Sequence, residues 1–402
     1  MKRVLYISTS QGDCGGGEYY LALLAQAGVL EGLFQPEVLM DSRPGMDHWA
    51  GILGRVGVNV HRVPIRNLFD YRTRSLGCLL DPRNKGLYRD WIEKLSPDLV
   101  HVNQQNLEDG LDVVSAACAI FPGRIIGTIH NAQPIRAIVT HGRRVRDWWA
   151  NRFHERTAYH RIFVSHASRR CFEQTVPLYD GWNHVVWNGV SEVFLENDPD
   201  VKSHAREAFG LGEATRVVGF AGRLTHQKNV ALAISAFSKV AGNFSGESVF
   251  LVAGDGEERT ELQAMTARMG IEGRVRWLGY LRDEDLETFY RALDLMVLPS
   301  RWEGFPLVLI EAQLRGIPVL ASSVDGNVEA LDFGRSGFLI SPDDESAWVR
   351  ALETFLSNPT LCREYGARGQ AFARRALTSA VMAHNTNAVY EKVLSDARSA
   401  GS

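Results

Sequence analysis

At 402 residues, with 45% hydrophobic and 23% charged residues, the chain has the composition of a soluble globular protein of two or three domains, which excludes disordered, collagenous and coiled-coil classes. A chain this long buries about 75% of the surface its unfolded form exposes, so its cores need neither disulfides nor metals as staples. With 44 basic against 47 acidic residues the formal charge is -3, and no nucleic acid partner is expected.

Cys14, Cys78, Cys118, Cys171 and Cys362 are scattered singly, which points to a reducing, cytoplasmic setting rather than a zinc site or disulfide framework. No apolar run reaches the roughly 18 residues that span a bilayer. The opening stretch is too short for a signal peptide and reads as a first buried strand. From there Val/Ile/Leu-rich runs alternate with helix-period segments, the pattern of βα units around parallel sheets. Strands are expected at Arg3 to Ser8, Glu37 to Met40, Val58 to Val63, Leu99 to Val102, Arg124 to Ile129, Arg161 to Val164 and His184 to Val186. The polar stretch from Ser191 to Glu213 reads as an interdomain linker. The series restarts with strands at Arg216 to Ala221, Ser248 to Ala253, Arg274 to Leu278, Leu295 to Leu298 and Pro318 to Ala321. The fold class is α/β, with one domain over 1–190 and another over 214–378. Two such domains face each other across a cleft and bind ligands beyond the carboxyl ends of their strands.

Three strand exits carry chemistry. After the first strand, Gly12-Asp-Cys-Gly15-Gly16-Gly17-Glu18 opens a helix, where glycines admit a ligand to the backbone and free N–H groups meet an anion. A tight turn needs the same glycines, and the spacing does not support a nicotinamide or flavin. Gly222-Arg223 and Lys228-Asn229 place two cations at a strand exit and helix start, able to converge on a pyrophosphate or to remain a solvated turn. In Pro299-Ser-Arg-Trp-Glu303-Gly304-Phe305-Pro306 the proline is expected at the first helical position, leaving an anion cradle before it. Glu311 lies in the apolar helix that follows, so it is paired either with ligand hydroxyls, as of a ribose, or with an arginine such as Arg223.

These segments, with Val252-Ala-Gly-Asp-Gly256, Leu278-Gly-Tyr280 and Gly326-Asn327-Val-Glu329, resemble the donor domain of glycosyltransferase family 4, in that family's order across nearly the whole second half. The resemblance implies the GT-B fold, two Rossmann-like domains with a helix over 379–397 returning to the acceptor-side first domain. It implies retaining, metal-independent transfer of a sugar, in the manner of a hexosyltransferase, from a nucleoside diphosphate to an acceptor hydroxyl. Arg223 and Lys228, with Gly222 beside them, would hold the diphosphate. Glu303 with the Gly304, Phe305 and Pro306 backbone would meet the sugar, Glu311 the ribose, and Gly279, Tyr280 and Leu281 the base. The first half matches more thinly, at Gly15, Gly16, Gly17, His130, Ser165 and Asn188-Gly189-Val190. His130 resembles the histidine that contacts the donor sugar; taken alone it could be a core histidine bonded to backbone. His130, Arg223, Lys228 and Glu303 are thus the catalytic candidates. Two positions depart from the family: Asp325-Gly326 and Val328 stand where it usually shows Gly-Gly and Pro, and Asn131 where many members carry Asp.

The implied donor is a UDP-sugar, with a GDP-sugar as the alternative and no further cofactor. The acceptor would be a glycan, a glycolipid or a small-molecule hydroxyl, as in cell-envelope glycan, glycolipid or natural-product glycoside synthesis. Metal-dependent transferases of the other major fold use Asp-x-Asp, and the two matches here, Asp198-Pro-Asp200 and Asp283-Glu-Asp285, read as a turn and an N-cap, so no metal is expected. From Arg136 to Arg170 nine arginines face Asp147 and Glu155, a local +7. Within it Val145, Trp148, Trp149 and Phe153 recur at helical spacing, so the Arg143 to Phe153 helix either packs its apolar stripe inward or lies on an anionic membrane at the inner face. A nucleotide-sugar binding or regulatory protein and a nucleotide-sugar epimerase are the rival readings, and the charged set weighs against the first.

Overall fold

The computed structural model describes residues 1–10, 12, 15–134, 142–176, 181–192, 199–243 and 246–400. Asp13, Cys14, Arg136 and Asp198, and the side chains of Arg143 and Asp200, lie outside the described residues. The chain divides into two compact units, Met1–Gly189 with Ser379–Ser402, and Val190–Thr378.

The first unit is a parallel sheet of β1 (Lys2–Ser8), β2 (Phe34–Asp41), β3 (Asn59–Val63), β4 (Leu99–Asn106), β5 (Ile125–Asn131), β6 (His160–Phe163) and β7 (Asn183–Val185), ordered β3-β2-β1-β4-β5-β6-β7. Val4, Leu5, Tyr6, Ile7, Val100 and Val102 have no exposed surface, as the central strands of a sheet covered on both faces require. The strand order reverses between β1 and β4, so a crevice opens at their carboxyl ends. The helix Ser379–Ala400 closes this unit: the Tyr390 hydroxyl lies 2.7 Å from that of Tyr6 and 2.6 Å from His101 Nδ1.

The second unit repeats the plan with β8 (Arg216–Ala221), β9 (Ser248–Ala253), β10 (Val275–Gly279), β11 (Leu295–Leu298), β12 (Val319–Ser322) and β13 (Phe338–Ile340), ordered β10-β9-β8-β11-β12-β13. Its reversal falls between β8 and β11. β13 is an addition to the expected strands: three residues with Phe338 40% exposed give no buried-strand pattern. The stretch 191–213 is not simply a linker. It contains the helix Pro199–Ala208, and Lys202 and Arg206 bind Asp294 at 2.9 and 2.7 Å, which fastens that helix to the second unit.

The basic segment is also corrected. On the helix Arg143–Arg156, Phe153 packs against the core, but Val145, Trp148 and Trp149 are 63%, 57% and 36% exposed. The buried face is instead Asp147, Ala150 and His154, with Arg146 turned inward to pair with Glu108. Arg161 is buried too, donating to the carbonyl oxygens of His154 and Thr157 at 2.9 and 3.1 Å with its guanidinium over the Tyr159 ring. Part of the +7 is therefore internal wiring.

Candidate functional site

In the second unit the loop after β8 and the loop after β11 are laced together across the sheet reversal. Arg301 N donates to the Gln227 carbonyl at 2.8 Å, and Gln227 Nε2 returns a bond to the Trp302 carbonyl at 3.0 Å. Asn229, in the left-handed region at φ 52, donates to the Pro299 carbonyl and accepts from Arg301 Nη2 at 3.0 Å. This lacing brings Lys228 Nζ to 2.5 Å from Glu303 Oε1, and Ser300 Oγ donates to the same oxygen at 2.6 Å. Glu303 is buried, so removing either partner of the pair strands an uncompensated charge away from water. Arg223 is exposed, and its side chain makes no hydrogen bond or ion pair among the described residues.

The neighbouring loops need glycine for close approach. A Cβ on Gly254 would lie 1.9 Å from the Gly222 carbonyl oxygen, and one on Gly326 would lie 1.8 Å from that of Gly304. Asp325, where the family usually shows glycine, sits at φ 34, in the region glycine favours and aspartate tolerates. Gly279 ends β10 and accepts from Gly254 N at 2.6 Å; Tyr280 beyond it is half exposed, with the Arg282 guanidinium 4.9 Å from its ring centre. Pro306 stands at the N-cap, one position earlier than expected, and the helix is Leu307–Leu314. A proline there still presents no N–H, so the free donors come from the residues around it.

Glu311 is buried on that helix. Its partner is neither Arg223 nor any arginine head-on: Tyr290 donates its hydroxyl to Oε2 at 2.5 Å. Burial pushes the Glu311 carboxyl above the usual range, and the nearby Arg315 charge and the Tyr290 bond pull it back. Arg315 itself is spoken for by Glu287, at 2.5 Å.

In the first unit the glycine loop, β4 and β5 meet at their own reversal. The helix Gly16–Leu30 follows Gly15, and a Cβ on Gly17 would lie 2.0 Å from Gln105 Nε2. Asn103, 1% exposed on β4, donates from Nδ2 to the Gly17 carbonyl at 3.0 Å, and its Oδ1 lies 2.7 Å from His130 Nε2. Tyr20 presents its ring to His130 edge-on, with centroids 4.7 Å apart. Burial brings His130 down to about 4, so the ring is neutral at pH 7. Ser165 is an N-cap, accepting from Ser168 N at 3.0 Å. Asn103, Gln105, Tyr20 and Tyr290 were not singled out from sequence, though the extended run Asn103-Gln-Gln-Asn106 at a strand exit is a visible polar signal.

Two Rossmann-like units of parallel sheet, each with polar residues gathered at its strand-order reversal, define an α/β protein of the GT-B class. Residues 14–193 match the family described as Glycosyltransferase Family 4, and residues 201–372 match Glycosyl transferases group 1. The chain belongs to glycosyltransferase family 4. It is 30% identical to the lipopolysaccharide core biosynthesis mannosyltransferase LpsB of Rhizobium meliloti over 55% of this chain and 64% of that one. It is 36% identical to the D-inositol 3-phosphate glycosyltransferase of Streptomyces avermitilis over 44% of this chain and 39% of that one. The chain thus spans less than two thirds of the length of these curated relatives. The structure of Anabaena HepE in complex with UDP-glucose matches in fold with a TM-score of 0.78, 22% identity and coverage of 98% of this chain and 100% of that one. Among the described residues no three His, Cys, Asp or Glu side chains are grouped as metal ligands, and no helix is long and apolar enough to cross a membrane.

Proposed function

We propose that this chain is a retaining glycosyltransferase that moves a sugar from a nucleoside diphosphate, UDP first and GDP as the alternative, to an acceptor hydroxyl without a metal ion. The observation that carries the reading is the Lys228–Glu303 pair at the second sheet's reversal, with Ser300 on the same oxygen and an exposed Arg223 on the same loop. Arg223 and Lys228 neutralise the departing diphosphate as its charge develops, which is the electrostatic task a divalent ion performs elsewhere. Glu303 meets the sugar. Glu311, with Oε2 engaged by Tyr290, keeps its other oxygen for the ribose. Gly279, Tyr280 and Leu281 border the base, and His130 contacts the donor sugar from the first unit, which takes the acceptor. The names of the relatives, a mannosyltransferase and D-inositol 3-phosphate glycosyltransferases, and the UDP-glucose bound by HepE favour this donor chemistry.

The acceptor is a glycan, a glycolipid or a small-molecule hydroxyl. Exposed Val145, Trp148 and Trp149, beside Arg144, favour docking at an anionic bilayer surface, where tryptophan settles at the headgroup level. Location at the inner face of a membrane follows from that docking.

The test is product analysis with radiolabelled UDP- and GDP-sugars in excess EDTA. Sugar transfer with the donor's anomeric configuration kept is the expected result. Loss of turnover on chelation with recovery on added Mn or Mg overturns the metal-independent mechanism, and an epimerised donor as sole product overturns the transferase.

A further inference from the structure

We infer that Asn103 is a positioning residue: lodged between the Gly17 carbonyl and the His130 ring, it fixes His130 as the Nε2–H tautomer and leaves Nδ1 as a hydrogen-bond acceptor. The inference rests on the reading that His130 faces the donor sugar and states what the ring can do there.

The assignment follows from what each group is able to donate. A backbone carbonyl only accepts, so the end of the Asn103 amide 3.0 Å from Gly17 O is the NH2 end. The opposite end is then the carbonyl oxygen, 2.7 Å from His130 Nε2. That oxygen also only accepts, so Nε2 carries the proton. In a neutral imidazole one nitrogen donates and the other accepts, which makes Nδ1 the bare one, and it has no hydrogen-bond partner among the described residues. Burial lowers the affinity of the ring for a second proton, to about 4.

The orientation is over-determined. Tyr20 holds the ring edge-on at 4.7 Å and is itself set by its hydroxyl, 3.2 Å from Thr128 Oγ1. Thr128 Oγ1 also lies 2.7 Å from His101 Nε2, and His101 Nδ1 lies 2.6 Å from the Tyr390 hydroxyl. Tyr20, Thr128, His101 and Tyr390 are all buried, while His130 itself is half-buried. The consequence is a chemical preference: the ring receives a hydrogen bond from a sugar hydroxyl and offers none, so a donor carrying an ether or no oxygen at that position loses the contact.

The experiment is nitrogen NMR of histidine-labelled full-length protein at neutral pH, on the parent, Asn103→Leu and Asn103→Asp. The parent is expected to show His130 protonated at Nε2 alone. Asn103→Asp retains the proton on Nε2, because its carboxylate accepts there. Asn103→Leu releases the tautomer and lowers kcat/KM by about 10-fold to 100-fold, taking as a guide the loss when the partner that orients a metal-bound histidine is removed. A parent ring protonated at Nδ1 alone, or an unchanged tautomer in Asn103→Leu, overturns the inference, and the parent spectrum decides even if a variant fails to fold. His130→Ala separates the two claims. Normal turnover in that variant removes the donor-sugar reading of His130 while the tautomer result stands.

Discussion

At the reversal of the second sheet an ammonium and a carboxylate meet at 2.5 Å, whereas at that of the first the contacts around His130 are between neutral groups, a carbonyl, an amide, an imidazole and a phenol ring, and the nearby carboxylates of Glu18 and Asp109 accept from Gln105 and Thr9. The second reversal is built on an ion pair and the surroundings of His130 on neutral hydrogen bonds. A buried charged pair holds itself by mutual compensation, so removing one partner leaves the other stranded in a poor solvent. A neutral network holds by geometry, and its weak point is a proton added where none belongs. The difference matches the two tasks proposed for them, stabilising a departing diphosphate in one unit and orienting hydroxyls in the other.

The largest expected effect breaks the charged side. Lys228→Ala lowers turnover about 100-fold to 1000-fold, as loss of a preorganised donor does in other enzymes. It also lowers the melting temperature, because Glu303 stays buried without its cation, a loss on the order of 3 to 5 kcal/mol. Adding Glu303→Gln restores the melting temperature and not the turnover. A single variant that melts like the parent shows that the pair is not what holds this loop.

Next in size is the contrast between the two glutamates. Glu303→Gln leaves nucleoside diphosphate affinity near the parent value while turnover falls by a few kcal/mol in barrier terms. Glu311→Gln does the reverse, since ribose contacts are alike in ground and transition states. Calorimetry with the free nucleotide beside steady-state kinetics reads both. Equal loss of nucleotide affinity in the two variants merges the roles assigned to them.

Acid sharpens the comparison from the other side. His101, His130 and His154, all in the first unit, are brought by burial from 6.5 to about 3, 4 and 3. The unfolded chain therefore takes up protons from pH 6.5 downward while the folded unit does not, and stability falls as pH drops from 6.5 toward 4. Asp109, raised from 3.8 to about 6, works the other way over that interval and offsets one histidine. Calorimetric scans between pH 7 and pH 4 should show the transition of the first unit moving down before that of the second. The smallest effect lies at the surface: Trp148→Ser with Trp149→Ser removes sedimentation with anionic vesicles at low salt and leaves the melting temperature unchanged.

How much of this was readable beforehand divides along the same line. Glu303, Glu311 and Lys228 announce themselves because charge inside an apolar or glycine-rich context is visible in a single stretch of chain, and their loops follow strands whose Val/Ile/Leu runs mark them. Asn103 and Tyr20 do not, since an amide on a strand or a tyrosine on a helix acquires meaning only when β1, β4 and β5 set it beside His130. Glu311 showed that it needed a partner, but Tyr290, on another helix, could not be inferred from spacing. The helix Pro199–Ala208 was read as linker because its ties to Asp294 are polar and distant in sequence. The tryptophans were assigned to one stripe with Phe153, and the structure separates them because Asp147, Ala150 and His154 claim the buried face.

The helix Ser379–Ala400 has a consequence for how the protein is made. Its Tyr390 completes contacts with Tyr6 and His101 that belong to the first sheet. Yet the 189 residues from Val190 to Thr378 must be synthesised between that sheet and its closing helix. At a bacterial or eukaryotic ribosome this interval is on the order of 10 to 40 s. During it the second unit, continuous in sequence, can fold to completion, while the first waits with one flank of its central strands uncovered and two buried hydrogen-bonding side chains unmet. The later-made half of this protein is therefore the one able to mature first, and the first sheet is where a nascent chain most needs protection.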